Sequence, residues 1–127
     1  MREVYTVIMQ KTKAGYYVDI PDFNTGTQGV DLIDAMSMAR DAIGLLGIDA
    51  EDDGEAIPKA NTVKRLLEAN EFEVLIDVDF TKYRKENDSK AVRKNCTIPY
   101  WLSVKADKAH INYSKVLQSA LTKELEL

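Results

Sequence analysis

The sequence predicts an α+β fold in two modules, a four-stranded sheet with a covering helix followed by a small strand-helix-helix tail. Three observations predict it. Strand-like stretches rich in β-branched and aromatic residues run from Val4 to Lys11 and from Glu73 to Phe80, a run from Leu32 to Leu46 repeats at steps of three and four, and a polar break over residues 82–90 sets a differently patterned tail apart. The 127 residues, 45% of them hydrophobic, allow one ordinary domain or a small domain with an appendage, with enough apolar material for a packed core.

Val4 to Lys11 carries apolar side chains on both alternating faces (Val4 and Ile8; Tyr5, Val7 and Met9), which suits a central strand. Lys13-Ala14-Gly15 reads as a turn, Tyr16 to Ile20 as a strand paired back on the first, and Thr27-Gln28-Gly29 as a short third strand after the break at Pro21 to Gly26. Asp31 then suits an N-cap and Asp34 the third helical position. The stripe Leu32, Met36, Ala39, Ile43, Leu46 makes the helix amphipathic and lays it on the sheet. Gly47 and the acidic run Asp49 to Glu55 predict a solvated loop closed by Pro58, and Asn61 or Thr62 could cap a short helix through Leu67. From Glu73 onward, Val74, Ile76, Val78 and Phe80 share one face and Glu73, Asp77 and Asp79 the other, giving a fourth strand with one side on the core.

Residues 82–90 have no apolar periodicity and are expected to link residues 1–81 to residues 91–127. In the tail, Val92 to Ile98 predicts a short strand that Pro99 ends while opening a helix over Trp101 to Ala109, with Leu102, Ala106 and Ala109 on one stripe. Asn112, or Ser114, caps a last helix with a stripe of Val116, Leu117, Ala120 and Leu121. Such a unit cannot stand alone: its strand has no partner and its helices have too little to cover. Two copies pairing their strands antiparallel would form a two-stranded ribbon with one face free, a shape that fits the DNA major groove.

Charge divides at the same place. Residues 1–88 hold ten Lys or Arg and eighteen Asp or Glu, a net of -8, while residues 89–127 hold seven and three, a net of +4. The body therefore suits a basic partner and the tail an anionic one. One Cys and one His rule out a disulfide framework and a cysteine zinc cluster, so no metal or cofactor is expected. The start, Met1 to Tyr5, lacks a signal-peptide block and no run approaches a membrane span, so a cytoplasmic protein without membrane association is expected.

The residues Arg93-Lys94-Asn95-Cys96-Thr97-Ile98-Pro99-Tyr100-Trp101-Leu102, followed by Ala109 to Ser114 and Val116 to Leu121, resemble the ribbon-helix-helix domain of HicB antitoxins. Gly15 to Phe23, then Thr27-Gln28-Gly29 and an Ala-rich helix, resemble that family's degenerate RNase H-like domain. One departure is visible: where the family often has Pro-Gly-Cys after Pro-Asp, this chain has Asn24-Thr25-Gly26, with a glycine left to make the turn. The resemblance implies a non-enzymatic antitoxin. It would neutralise a HicA-type toxin, a small basic protein of double-stranded-RNA-binding fold that cleaves mRNA, and would repress its own operon as a homodimer or tetramer on operator DNA. A regulator with a ligand-sensing N-terminal domain is the alternative.

In the tail strand, alternation places Arg93, Asn95 and Thr97 on one face and Lys94, Cys96 and Ile98 on the other. Cys96 and Ile98 want a core. The first set therefore faces the groove, where Arg reads guanine, Asn adenine, and Thr either base or a thymine methyl. Lys94 would snorkel to a phosphate, and the first-turn N–H groups around Tyr113 and Ser114, after the Asn112 cap, are placed to clamp another. Asp19, Asp77 and Asp79 could in principle hold divalent metal for a nuclease, but Val4 to Lys11 carries no acid, where the resemblance places an essential Asp in active relatives. His110 and Cys96 lack a catalytic partner and Trp101 suits packing, so all three are expected to be structural.

Overall fold

The computed structural model describes residues 1–61, 65–87 and 91–127, which divide into two compact units, Met1–Ser89 and Lys90–Leu127. In the first unit, β1 (Arg2–Thr12), β2 (Gly15–Ile20), β3 (Thr25–Gly29) and β4 (Glu71–Asp79) form one antiparallel sheet in the order β3-β2-β1-β4. The central position expected for the first strand is the one it occupies. Helix α1 (Leu32–Asp52) covers one face.

Register explains which side chains meet the helix. Tyr5 stands opposite Ile76 and Met9 opposite Val18, so Tyr5, Val7 and Met9 share a face with Ile76, Val78, Val18 and Ile20, all buried in one cluster. Tyr5 closes the cluster by stacking edge-on against Phe23 and Phe80, and its hydroxyl donates to the Pro58 carbonyl at 2.6 Å. Asp31 caps α1 by accepting the Asp34 N–H at 2.8 Å, and the Asp34 carboxylate accepts the N–H of Val30, the residue before the cap, at 2.9 Å.

The buried stripe of α1 is Ala35, Ala39, Ile43, Gly44, Gly47 and Ile48, rotated from the expected one: Leu32 and Leu46 are exposed. Small residues win the inner face because the backbones approach closely. A Cβ on Gly29 would lie 2.3 Å from the Ala35 nitrogen, leaving no room for a leucine at this contact. The turn after Pro21–Phe23, a 3-10 turn, is made by Asn24 at φ 49 and not by Gly26. Gly26 lies inside β3, where a Cβ would meet the Tyr17 hydroxyl at 2.5 Å.

Two further expectations are corrected. The acidic run is not a loop at its start, since α1 continues to Asp52, and residues 82–90 are not a plain linker, since α2 spans Phe80–Asn87. Each correction explains the other. Asp79 caps α2 by accepting the Thr81 N–H at 3.1 Å, Phe80 and Tyr83 lie where side chains on Gly47 and Gly44 would be, and Arg84 binds Glu51 at 2.7 Å and Asp52 at 3.0 Å. The charged look of both segments conceals their attraction for each other. The helix expected after Asn61 falls partly on residues 62–64, outside the described residues, and residues 65–68 carry no helix.

The second unit contains α3 (Tyr100–Lys108), with Pro99 at its N-cap, and α4 (Tyr113–Glu124). No described residue of this unit is buried in the single chain, and Trp101, expected to pack, is 63% exposed.

The seating of α2 makes two predictions. Gly47→Ala places a methyl against the Phe80 ring and should cost about 1–3 kcal/mol by overpacking, whereas Arg84→Ala should cost no more than about 1 kcal/mol because its ion pairs are partly solvated; urea midpoints give the order. Burial, with Asp41 beside it, pushes the Tyr83 hydroxyl up to about 12, and burial with Glu3 and Asp22 does the same for Tyr5. An unfolded tyrosine ionises near about 10, so these contributions are intact below that pH and are lost as pH rises toward the folded value. Stability should therefore fall over that alkaline window more steeply in the wild type than in Tyr83→Phe.

Candidate functional site

Residues 91–99 carry no strand in the single chain and are all exposed. A strand exists through its ladder, and no described segment of this chain supplies one. Arg93, Lys94, Asn95 and Thr97 lie together on this stretch, and neither Arg93 nor Lys94 forms an ion pair among the described residues. Cys96 and Ile98, expected to face a core, are exposed as well, because the single chain builds no core beneath them.

The corner between the two tail helices is closely specified. His110 takes the left-handed conformation, φ 55, that ends α3, with the Ile111 N–H donating to the Ala106 carbonyl and the His110 N–H to the Asp107 carbonyl, each at 3.1 Å. That is a Schellman closure with histidine where glycine is common, and it gives His110 a backbone role. Asn112 then caps α4 by accepting the Lys115 N–H at 3.1 Å, as expected. The Tyr113 hydroxyl donates to Asp107 Oδ1, and this bond holds its pKa above the ordinary tyrosine value.

Tyr113 is therefore turned back onto α3, and Asp107 is a member of the corner that the sequence does not disclose, because its partner is six positions away across a turn. What the corner leaves for an anion is the first-turn N–H groups of Tyr113 and Ser114, which have no acceptor within the helix. Next to it, Trp101, Leu102, Val116, Leu117 and Leu121 stay exposed. Full burial of one such side chain is worth about 1.5–3 kcal/mol, so this uncovered apolar material strongly favours association.

The three carboxylates tested for metal chemistry do not converge. Asp77 accepts from Arg40 at 3.0 Å, which holds its pKa below the usual carboxylate range, and Asp79 is held low by the backbone N–H of Lys82, which it caps. Asp19 pairs with Ile8 in the middle of β1 while Asp77 pairs with Val4 near its start. Four residues of strand span about 13 Å, too far for one ion. No cluster of metal-ligating side chains occurs among the described residues, and none of their helices is long and apolar enough to cross a membrane.

Residues 5–123 match a family model described as a HicB-like antitoxin of bacterial toxin-antitoxin systems. A protein of Haemophilus phage HP1, described as an uncharacterized 14.9 kDa protein of the rep-hol intergenic region, is 28% identical over 110 residues, 83% of this chain and 80% of that one. Two solved structures share the fold. A chain of a toxin-antitoxin complex from Streptococcus pneumoniae superposes with a TM-score of 0.58 at 20% identity, covering 98% of this chain and 99% of that one. The antitoxin HicB of Burkholderia pseudomallei does so with a TM-score of 0.53 at 24% identity and 98% coverage of each.

The corner geometry predicts opposite effects for adjacent residues. His110→Gly should leave the protein as stable or stabilise it by up to about 1 kcal/mol, because glycine adopts positive φ freely. Asn112→Ala should cost about 0.5–2 kcal/mol by removing the cap. Thermal unfolding of the full chain followed by helix circular dichroism checks both.

Proposed function

The chain belongs to the family of HicB-like antitoxins of bacterial toxin-antitoxin systems, and from that membership we propose that it neutralises a HicA-type mRNA-cleaving toxin and represses its own operon. Residues 1–81, a degenerate RNase H-like domain in this reading, bind the basic toxin and occlude its active site. Residues 91–127 form a ribbon-helix-helix module that dimerises and binds operator DNA. The chain acts without cofactor or catalysis, in the cytoplasm.

The observation that carries the reading is the tail: an exposed cationic stretch with no ladder partner, followed by two helices whose apolar stripes lack a cover. One event answers both deficits. When a second copy pairs residues 92–98 antiparallel, the strands gain a ladder and the helices gain each other. Alternation is then imposed on the ribbon, turning Cys96 and Ile98 inward and Arg93, Asn95 and Thr97 outward to base edges. Lys94 contacts a phosphate, and the first turn of α4, at Asn112, Tyr113 and Ser114, clamps another through backbone N–H groups. Assembly into dimers or tetramers concentrates the tails' positive charge on DNA.

Co-expression with the product of the adjacent reading frame, followed by mass measurement with and without operator DNA, tests the whole. A short basic protein that co-purifies is expected; its absence would favour a regulator whose N-terminal domain senses a ligand. Arg93→Ala should weaken operator binding by about 1–3 kcal/mol, the worth of a bidentate base contact, while leaving toxin neutralisation intact. Loss of toxin binding with DNA binding kept would reverse the module assignment. Operator affinity should also fall with salt at a log-log slope of about -0.9 per phosphate neutralised.

A further inference from the structure

The sheet has two faces and α1 covers one. The register assigns the other face to Val4, Thr6 and Ile8 of β1, Tyr17 and Asp19 of β2, and the odd-numbered residues of β4. At the centre, between Asp19 and Glu73, Ile8 is only 8% exposed, and toward the start of β1 the face is apolar and open: Leu75, directly opposite Thr6, is 66% exposed and Val4, opposite Asp77, is 48% exposed. An exposed leucine at a position flanked by Glu73 and Asp77 interrupts the polar side of β4, and no core requirement accounts for it.

Carboxylates stand among these side chains. Asp19, Glu71, Glu73, Asp77 and Asp79 all fall on this face, against one strand cation, Arg2, which lies 3.5 Å from Asp79. Arg40 reaches over the β4 edge to Asp77. Neither Asp19 nor Glu73 has an ion-pair partner among the described residues.

We infer that this open sheet face is the docking surface for the toxin, taking a basic protein surface that offers an apolar side chain to Leu75 and Val4 and Lys or Arg to Asp19 and Glu73. The inference rests on the antitoxin reading and adds the face. Charge selects the occupant. A second copy apposed on this face would set carboxylates against carboxylates in a desolvating contact, and nucleic acid would meet the same repulsion. A cationic protein gains pairing at the carboxylates and apolar burial at Leu75 and Val4, the two contributions a specific interface combines.

The test uses the full chain co-expressed with the tagged product of the adjacent reading frame. Leu75→Arg, and separately the pair Asp19→Lys with Glu73→Lys, should each reduce capture by tenfold or more. Both should leave operator binding unchanged and circular dichroism native. Asp49→Lys, on the exposed side of α1, should capture as the wild type does. Undiminished capture by both face variants overturns the inference while leaving the antitoxin reading in place. A change in the mass of the chain alone, or a loss of DNA binding in Leu75→Arg, assigns the face to a second copy or to the chain's own tail and overturns it equally. If the wild type captures nothing, the antitoxin reading fails and the face loses its partner with it.

Discussion

The single buried cluster that holds Ala35, Ala39 and Ile43 of α1 together with Tyr5, Val7 and Met9 of the central strand sets the frame on which the rest of the body depends. Where the helix comes closest its inner side carries alanine and glycine, with Ile43 and Ile48 filling the wider gaps, and side chains such as Leu46 are turned outward. Close approach at the first turn, where Gly29 meets Ala35, fixes the helix over β3 and β2, and a second close approach at Gly44 and Gly47 seats Tyr83 and Phe80 of α2. Packing at interior density leaves no slack at such contacts.

One covering helix can satisfy one face of a sheet. The consequence is an asymmetric body, closed by aromatic and aliphatic side chains beneath α1 and open on the side of Val4, Tyr17 and Leu75. An antiparallel sheet tolerates a solvated face when that face is polar. Here exposed Val4 and Leu75 stand among carboxylates, and that mixture carries the docking inference.

The tail is incomplete in a different sense. Its helices are well formed, with an asparagine cap on α4 and a left-handed closure on α3, so local interactions suffice for them. Its expected strand is not formed, because a ladder is a property of two segments and the described residues supply one. The proposed dimer adds what local chemistry cannot.

Local chemistry was readable directly. The four strands of the body, the Asp31 and Asn112 caps, the turn at Gly15 and the opposite charges of body and tail are written in residues near one another in the chain, and the sequence alone determined them. Where two distant segments decide the outcome, single-segment patterns misled. The acidic end of α1 and the basic α2 each read as solvated, yet they are apposed, with Phe80 and Tyr83 seated at Gly47 and Gly44 and Arg84 bound to Glu51 and Asp52. The rotation of the α1 stripe, the Tyr113–Asp107 bond and the exposure of Leu75 are of the same kind. Periodicity states which residues share a side of an element, but how near a neighbour stands, and whether anything covers that side, are properties of the packed molecule, and tertiary structure alone decided them.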